Sequence, residues 1–195
     1  MDFKRGDIVS IVVNRQIAGD LNKPSAELLN FCINKHVEEL LRLQKLSDYY
    51  DGKHDILKRT KENEGAPNNK VLINHAKYVV DMNVGFMVGN PISYVAESDK
   101  NIGPILEAYD RVDIVSHDTE LEKDLSTFGV GYELVYLKKT KDNDATQLEI
   151  KCIDPRGIFL VTDDTVDKNP LFAVHYQPVL TLQGGIDHYV DRKSV

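Results

Sequence analysis

Cysteine is nearly absent from this chain. It has two, Cys32 and Cys152, far apart in sequence. Neither a zinc spacing nor a disulfide framework can be built from them, and they read as two reduced thiols of a cytosolic product. Long hydrophobic runs are missing too. The longest are a handful of residues, well short of the roughly 18–20 that a membrane-spanning helix needs, so no membrane partner is expected. The N-terminus, Met1-Asp2-Phe3-Lys4-Arg5-Gly6-Asp7, lacks the apolar stretch and small-residue cleavage site of a signal peptide. Positive charge is in deficit, with 24 Lys and Arg against 31 Asp and Glu and a formal net charge of −7. A protein that grips DNA by its phosphates carries a basic patch. The nearest approach to one is Lys53 to Lys61, which Asp55 interrupts and which reads as a solvated helix face. Tight backbone binding is therefore not the expected mode of any contact with DNA.

The rest of the composition is that of a globular protein. Of 195 residues, 42% are hydrophobic and 28% charged, too apolar for a mainly disordered chain. The length fits one domain or slightly more. Folding at this size buries roughly 70% of the unfolded surface, enough for a core.

The pattern along the chain is helical first. Ile8 to Val13 is a short β-branched run, readable as an edge strand or a helical turn. Ser25 is placed to cap a helix over Ala26–Tyr50, in which Leu29, Ile33, Val37, Leu40, Leu43 and Leu46 recur at steps of three and four. Asp51-Gly52 ends it. A short helical piece at Asp55–Lys61 precedes a breaker-rich loop, Glu62 to Asn69. A second helix is expected from Asn74 to Val88. Val79, Val80, Met82, Val84, Phe86 and Met87 leave it little polar face, so it should be mostly buried. Gly89-Asn90-Pro91 closes it, and Ile92–Ala96 reads as a short strand. Helical segments follow at Gly103–Arg111 and Ser116–Thr127. The second shows an apolar face of Leu121, Leu125 and Phe128, with Gly129 as C-cap.

The character then changes to strands. Tyr132–Lys138, Gln147–Ile153, Ile158–Val161, Leu171–Val179 and Ile186–Val190 are β-type runs. Turn residues separate them at Lys141–Asp144, Asp154–Gly157, Asp163–Pro170 and Gln183–Gly185. Helices followed by strands predict an α+β fold. Its mainly helical part spans 1–128, with a short strand near 92–96, and its antiparallel β part spans 129–195.

Catalytic and cofactor motifs are missing: no Walker loop, HExxH, G-x-S-x-G or paired CxxC occurs. The six histidines, His36, His54, His75, His117, His175 and His188, are scattered singly, so no metal face is expected. Glu149-Ile150-Lys151 has the Glu-x-Lys form that restriction-type nucleases place on a strand to hold Mg²⁺ and orient water, with Glu133 the only strand carboxylate nearby. The same alternation is what any half-solvated strand shows. Gly129-Val130-Gly131 lies after a helix and before a strand, the reverse of the dinucleotide-binding order, and reads as a turn. Asp163-Asp164 with Asp167 reads as an acidic surface turn in preference to a cation site. From the residues alone, the chain is an acidic α+β module with no visible catalytic constellation, metal or cofactor.

Several blocks, in order, resemble the portal proteins of tailed bacteriophages with long non-contractile tails. They are Leu43 to Ile56, containing Tyr49-Tyr50-Asp51-Gly52-Lys53-His54-Asp55-Ile56; Asn68 to Asp81; Gly85 to Tyr94, containing Gly89-Asn90-Pro91-Ile92-Ser93-Tyr94; Phe128 to Tyr136; and Ile153 to Val161 with the strand Leu171–Val179 after it. Together they cover about Leu43 to Val179. The resemblance implies a dodecameric ring at one capsid vertex of the virion, made in the bacterial host cytoplasm. Double-stranded DNA passes through the ring without sequence specificity during packaging and ejection, and the ring later joins head to tail. It implies terminase, capsid, scaffold and head-completion proteins as partners, and no enzymatic activity. The matching region is the N-terminal part of the family's chain, mostly its wing. The stem, clip and crown lie downstream, so the chain is expected to be a fragment or a decayed prophage gene, incomplete relative to the family. The resemblance supplies no binding site. Structural roles are expected for Tyr49, Tyr50 and Gly52 at the helix exit, for Gly89, Asn90 and Pro91 at the helix-to-strand turn, and for Gly129 and Gly131 where the sheet begins. The competing readings are a Mg²⁺-dependent nuclease using Glu149 and Lys151, and a prophage remnant acting as a small binding module.

Overall fold

The computed structural model describes residues 10–19, 24–60, 67–97, 101–139, 146–180 and 186–193. The chain is α+β. Its order is β1 (Ser10–Val13), α1 (Arg15–Ala18), α2 (Ala26–Tyr50), a 3₁₀ turn (Asp55–Lys58), α3 (His75–Val88), α4 (Gly103–Val112), α5 (Ile114–Phe128), β2 (Tyr132–Lys139), β3 (Thr146–Ile153), β4 (Ile158–Asp163), β5 (Pro170–Leu180) and β6 (Ile186–Lys193). Two compact units result. One joins Met1–Gln44 to Asp154–Val195, and the other is the continuous stretch Lys45–Ile153. The switch from helices to strands near residue 129 is a change of secondary structure along the chain; the compact units follow a different grouping.

The first unit is built on a four-stranded sheet in the order β1-β4-β5-β6. The strands β4, β5 and β6 pair antiparallel, as their short connections predict. The run at Ile8–Val13 is resolved as an edge strand from Ser10 to Val13, which pairs parallel to β4 and makes the sheet mixed. Register explains the core. Ile11 and Val13 lie beside Val161 and Asp163, and Phe159 and Val161 lie opposite Val174 and Phe172. Paired residues share a sheet face, so these side chains, Asp163 at the end excepted, form one apolar layer. Leu28, Leu29 and Cys32 of α2 pack onto it. Fully burying a side chain such as Phe159 or Val161 contributes about 1.5–3 kcal/mol.

Ser25 caps α2 as its sequence indicates, accepting from the Leu28 N–H through Oγ at 3.2 Å. The buried residues of the helix are Leu28, Leu29, Cys32, His36 and Leu43, whereas Val37 is 46% exposed. The inward face is thus rotated from the leucine stripe read in the sequence. A histidine at its centre hid it from a count of apolar residues.

In the second unit α3 packs against α5, and α4 and α5 meet β3 of the β2–β3 hairpin. Asn74 caps α3, accepting from the Lys77 N–H at 2.9 Å. Four expectations fail here. The stretch Ile92–Ala96 forms no strand: no partner pairs with it, and Ile92 and Val95 are 51% and 86% exposed. Helix α3 is not mostly buried either, since Val80 is its one buried residue. An apolar composition calls for cover on every side, and α5 covers one side. The basic stretch after Lys53 forms only the short turn Asp55–Lys58. The Leu125 side chain, read as inward, is 47% exposed, while Phe128 is buried. The turns at Lys141–Asp144 and Gln183–Gly185, and Glu62 to Ala66 of the breaker-rich loop, lie outside the described residues.

Candidate functional site

The C-terminus of α2 holds three of the residues singled out in the sequence. Gly52 has φ +78°, the left-handed conformation open to glycine at little cost. Its N–H donates to the Tyr49 carbonyl at 3.2 Å, and the Lys53 N–H donates to that of Asp48 at 2.7 Å, a Schellman closure of the helix. Tyr49 stacks edge-on against His54, with ring centroids 4.7 Å apart. Tyr50 is a junction. Its hydroxyl donates to Asp81 at 3.1 Å and accepts from Lys77 at 3.0 Å, and its carbonyl accepts from the Asn74 amide at 2.8 Å. The Lys77 ammonium also lies 4.5 Å from the Tyr50 ring centroid. These contacts tie the end of α2 to the first turns of α3.

The other singled-out residues sit at helix ends. Gly89 follows α3 with right-handed helical angles, and a Cβ there would run into the Gly85 carbonyl. Asn90 and Pro91 follow it in exposed, irregular chain. Gly129, at φ +80°, closes α5 by donating to the Leu125 carbonyl at 2.9 Å. At Gly131 the backbone passes so near α5 that a Cβ would come within 2.8 Å of the Leu121 side chain. None of these residues converges with another on a ligand-sized cluster.

The nuclease reading does not survive the register of the hairpin. Glu149 faces Tyr136, Lys151 faces Leu134, and Glu133 faces Cys152. Directly opposed residues share a face and successive ones alternate. Glu133 therefore points away from the side that carries Glu149 and Lys151, and the carboxylates cannot share one Mg²⁺. Glu149 and Lys151 instead lie 3.8 Å apart on the strand surface. The acidic turn after β4 also differs from a cation site. Asp163 is fully buried, and its carboxylate accepts from the N–H and hydroxyl of Thr165 and from the N–H and side-chain amide of Asn169. The Thr165 hydroxyl above all, with Asn169, holds its carboxyl below the usual carboxylate range. Among the described residues no group of three or more His, Cys, Asp or Glu is placed to hold a metal ion, and no helix is long and apolar enough to cross a membrane.

Among the described residues one cluster of reactive side chains does form, and no spacing in the sequence points to it. Cys152 Sγ lies 3.3 Å from His117 Nδ1, and His117 Nε2 lies 3.0 Å from Glu133 Oε2. Assigning the imidazole proton to Nε2 lets it donate to Glu133 while Nδ1 accepts from the thiol. The order thiol, imidazole, carboxylate is that of a cysteine nucleophile with its base. Electrostatics oppose that chemistry. Burial, followed by the carboxylates of Glu120, Asp124, Glu133 and Asp118, pushes the Cys152 thiol up to about 11. An activated thiol is shifted in the other direction. The trio acts as a polar tie between α5 and the hairpin, joining residues of a helix and two strands.

The molecule thus offers helix closures, interlocked turns and one quiet thiol contact. Comparison with curated proteins gives no match. Comparison with family models gives one over residues 29–192, described as phage portal protein, SPP1 Gp6-like. That span takes in all of the segments that resembled portal proteins in sequence, from the end of α2 to β5, and the chain belongs to this family of structural proteins that form the head–tail connector of the virion.

Proposed function

We propose that the chain is a structural subunit of a phage portal. In this reading it forms part of a dodecameric ring at the capsid vertex, through which double-stranded DNA enters during packaging and leaves at ejection. Terminase, capsid, scaffold and head-completion proteins are its partners, and it is made in the bacterial cytoplasm. It performs no catalytic step of its own. The observation that carries the proposal is the family match over 29–192. The net charge of −7 supports it, because an acidic ring lets DNA slide and not stick.

The singled-out residues have structural roles in this reading. Tyr49, Tyr50 and Gly52 set the exit of α2 and its junction with α3. Gly89, Asn90 and Pro91 turn the chain out of α3, and Gly129 and Gly131 let α5 pass closely into β2. Negative-stain electron microscopy of the purified chain, alone and co-expressed with the capsid and scaffold genes of its source, tests the function. Rings, or incorporation at one site per capsid, are expected. A chain that forms no ring and enters no capsid overturns the proposal.

A further inference from the structure

Helix α3 is apolar on two opposite sides, and one of them is used within the chain. At 100° per residue, Ala76, Val80, Val84 and Val88 fall in a single arc. All four are buried or half-buried, and α5 is the helix against which α3 packs. Across the helix lie Tyr78, Val79, Met82 and Phe86, exposed by 61%, 55%, 57% and 88%. A helix that is apolar all round is normally covered all round. Two aromatic side chains this exposed present on the order of 300 Å², and with Val79 and Met82 the face reaches roughly 500 Å². Further exposed apolar residues flank the helix in sequence, Val71 and Ile73 before it and Ile92 and Val95 after it. A stable complex takes about 800 Å² from each partner, so this face is a large share of one interface.

We infer that the outer face of α3 is a contact between subunits, covered by a second copy of this chain; the inference rests on the portal reading above. Two observations favour another copy over a different partner. The family assembles as an oligomeric ring, in which every subunit must cover surface of its neighbours. The face also has the character of a permanent contact. The charged residues of α3, Lys77 and Asp81, fall beside the opposite arc, paired with each other at 3.3 Å and with Tyr50, so the outer face itself carries no Lys, Arg, Asp or Glu. Permanent interfaces are more apolar than transient ones. The titratable side chains on the face are His75, at its N-terminal end, and Tyr78.

The test is sedimentation velocity on the full chain over a concentration series, in low salt and in 0.5 M NaCl, with Phe86→Asp and Met82→Asp beside the wild type. Leu41→Asp, at an 81% exposed position of α2, is the control. Because Phe86 and Met82 are largely exposed in the single chain, their replacement is expected to leave the melting temperature of the monomer, read at the lowest concentration, unchanged. The wild type and the control are expected to self-associate in both salts, and the two α3 variants to associate at least tenfold more weakly. A photo-crosslinking benzoylphenylalanine at position 86 is expected to join two copies. Rings that form equally well with Phe86→Asp, or whose position 86 crosslinks to capsid or terminase instead, overturn the α3 contact and leave the portal reading standing. A wild-type chain that stays monomeric at every concentration overturns the contact as well, and the portal reading then depends on capsid incorporation alone.

Discussion

The Nδ1 of His36 lies 2.8 Å from the Tyr176 hydroxyl, inside the core that α2 makes with the sheet. The imidazole is 1% exposed and its ring centroid lies 4.9 Å from that of Phe159. Burial pushes its pKa down; the Pro155 carbonyl and Glu39 pull the other way and are outweighed. A base whose folded pKa is below its unfolded value of about 6.5 takes up more protons when unfolded. Its contribution is full above pH 6.5 and is lost as pH falls below that. The melting temperature is expected to be flat from pH 7 to 8.5 and to decline between pH 6.5 and 5. His36→Gln should flatten that decline, and an unchanged slope would assign it to other groups. Tyr176→Phe removes one buried hydrogen bond and is expected to cost about 0.5–1.5 kcal/mol at pH 7.5.

Gly52 closes α2 in a conformation that costs an L-residue roughly 1–2 kcal/mol. A Cβ there would also sit 3.4 Å from the Asn74 amide that bonds to Tyr50. Gly52→Ala is therefore expected to lower the melting temperature by a few degrees, as seen by circular dichroism. The same replacement at Gly85, where a Cβ meets nothing within 4 Å on an exposed helical position, should be neutral or stabilising.

The buried carboxylate of Asp163 organises the loop from β4 to β5. In Asp163→Ala the Thr165 and Asn169 donors lose their acceptor, so limited proteolysis should cut between residues 163 and 170 faster than in the wild type. Ca²⁺ and Mg²⁺ at millimolar concentration are expected to leave the melting temperature of the wild type unchanged, because the carboxylate is already engaged. A stabilisation by either ion would contradict this account. The lowered pKa values of Asp163 and Asp154, the latter held down by Arg156, place a second loss of stability in acid. Their contribution is present above the usual carboxylate range and disappears as pH falls through and below it.

Both thiols should be slow. Burial raises Cys32 to about 11, and Cys152 stands at about 11 among its carboxylates. An ordinary thiol titrates near 8.5, so the thiolate fraction of either is expected to be lower by on the order of a hundredfold. Reaction with a chromogenic disulfide at pH 7.5 should be correspondingly slow until denaturant is added. Fast labelling of Cys152 in the native protein would mean that its contact with His117 activates it.

No Mg²⁺-dependent nicking of supercoiled plasmid is expected. Any trace activity should be the same in Lys151→Ala, since Glu133 lies on the face away from Glu149 and Lys151. Cleavage abolished by that substitution would restore the nuclease reading.

Much of the architecture could be read from local chemistry. Ser25 and Gly52 bracket α2, Asn74 and Gly89 bracket α3, and turn residues separate the strands from β2 to β6. These signals act within a few residues, and so does sequence reasoning. Contacts across the chain were out of its reach. The His36–Tyr176 bond and the Cys152–His117–Glu133 trio depend on which helix lies on which strand, and no spacing records that. The apolar residues of α3 gave the wrong answer for a physical reason. Composition reports how much surface wants cover and is silent on whether the same chain supplies it. The run Ile92–Ala96 failed similarly, since a β-prone sequence becomes a strand only where a partner edge exists.

Parallel pairing of β1 with β4 sets a schedule for folding. Ser10–Val13 leaves the ribosome ahead of its partner Ile158–Asp163, which follows roughly 150 residues later. At 5–20 residues per second that delay is on the order of ten to thirty seconds. Meanwhile Lys45–Ile153 is continuous and is complete before β4 emerges, so its helices and hairpin are able to form first. The β-branched run Ile11-Val12-Val13 waits as an unpaired, adhesive edge until the sheet closes around it. The strand made before its sheet partners is thus among the last to find its place.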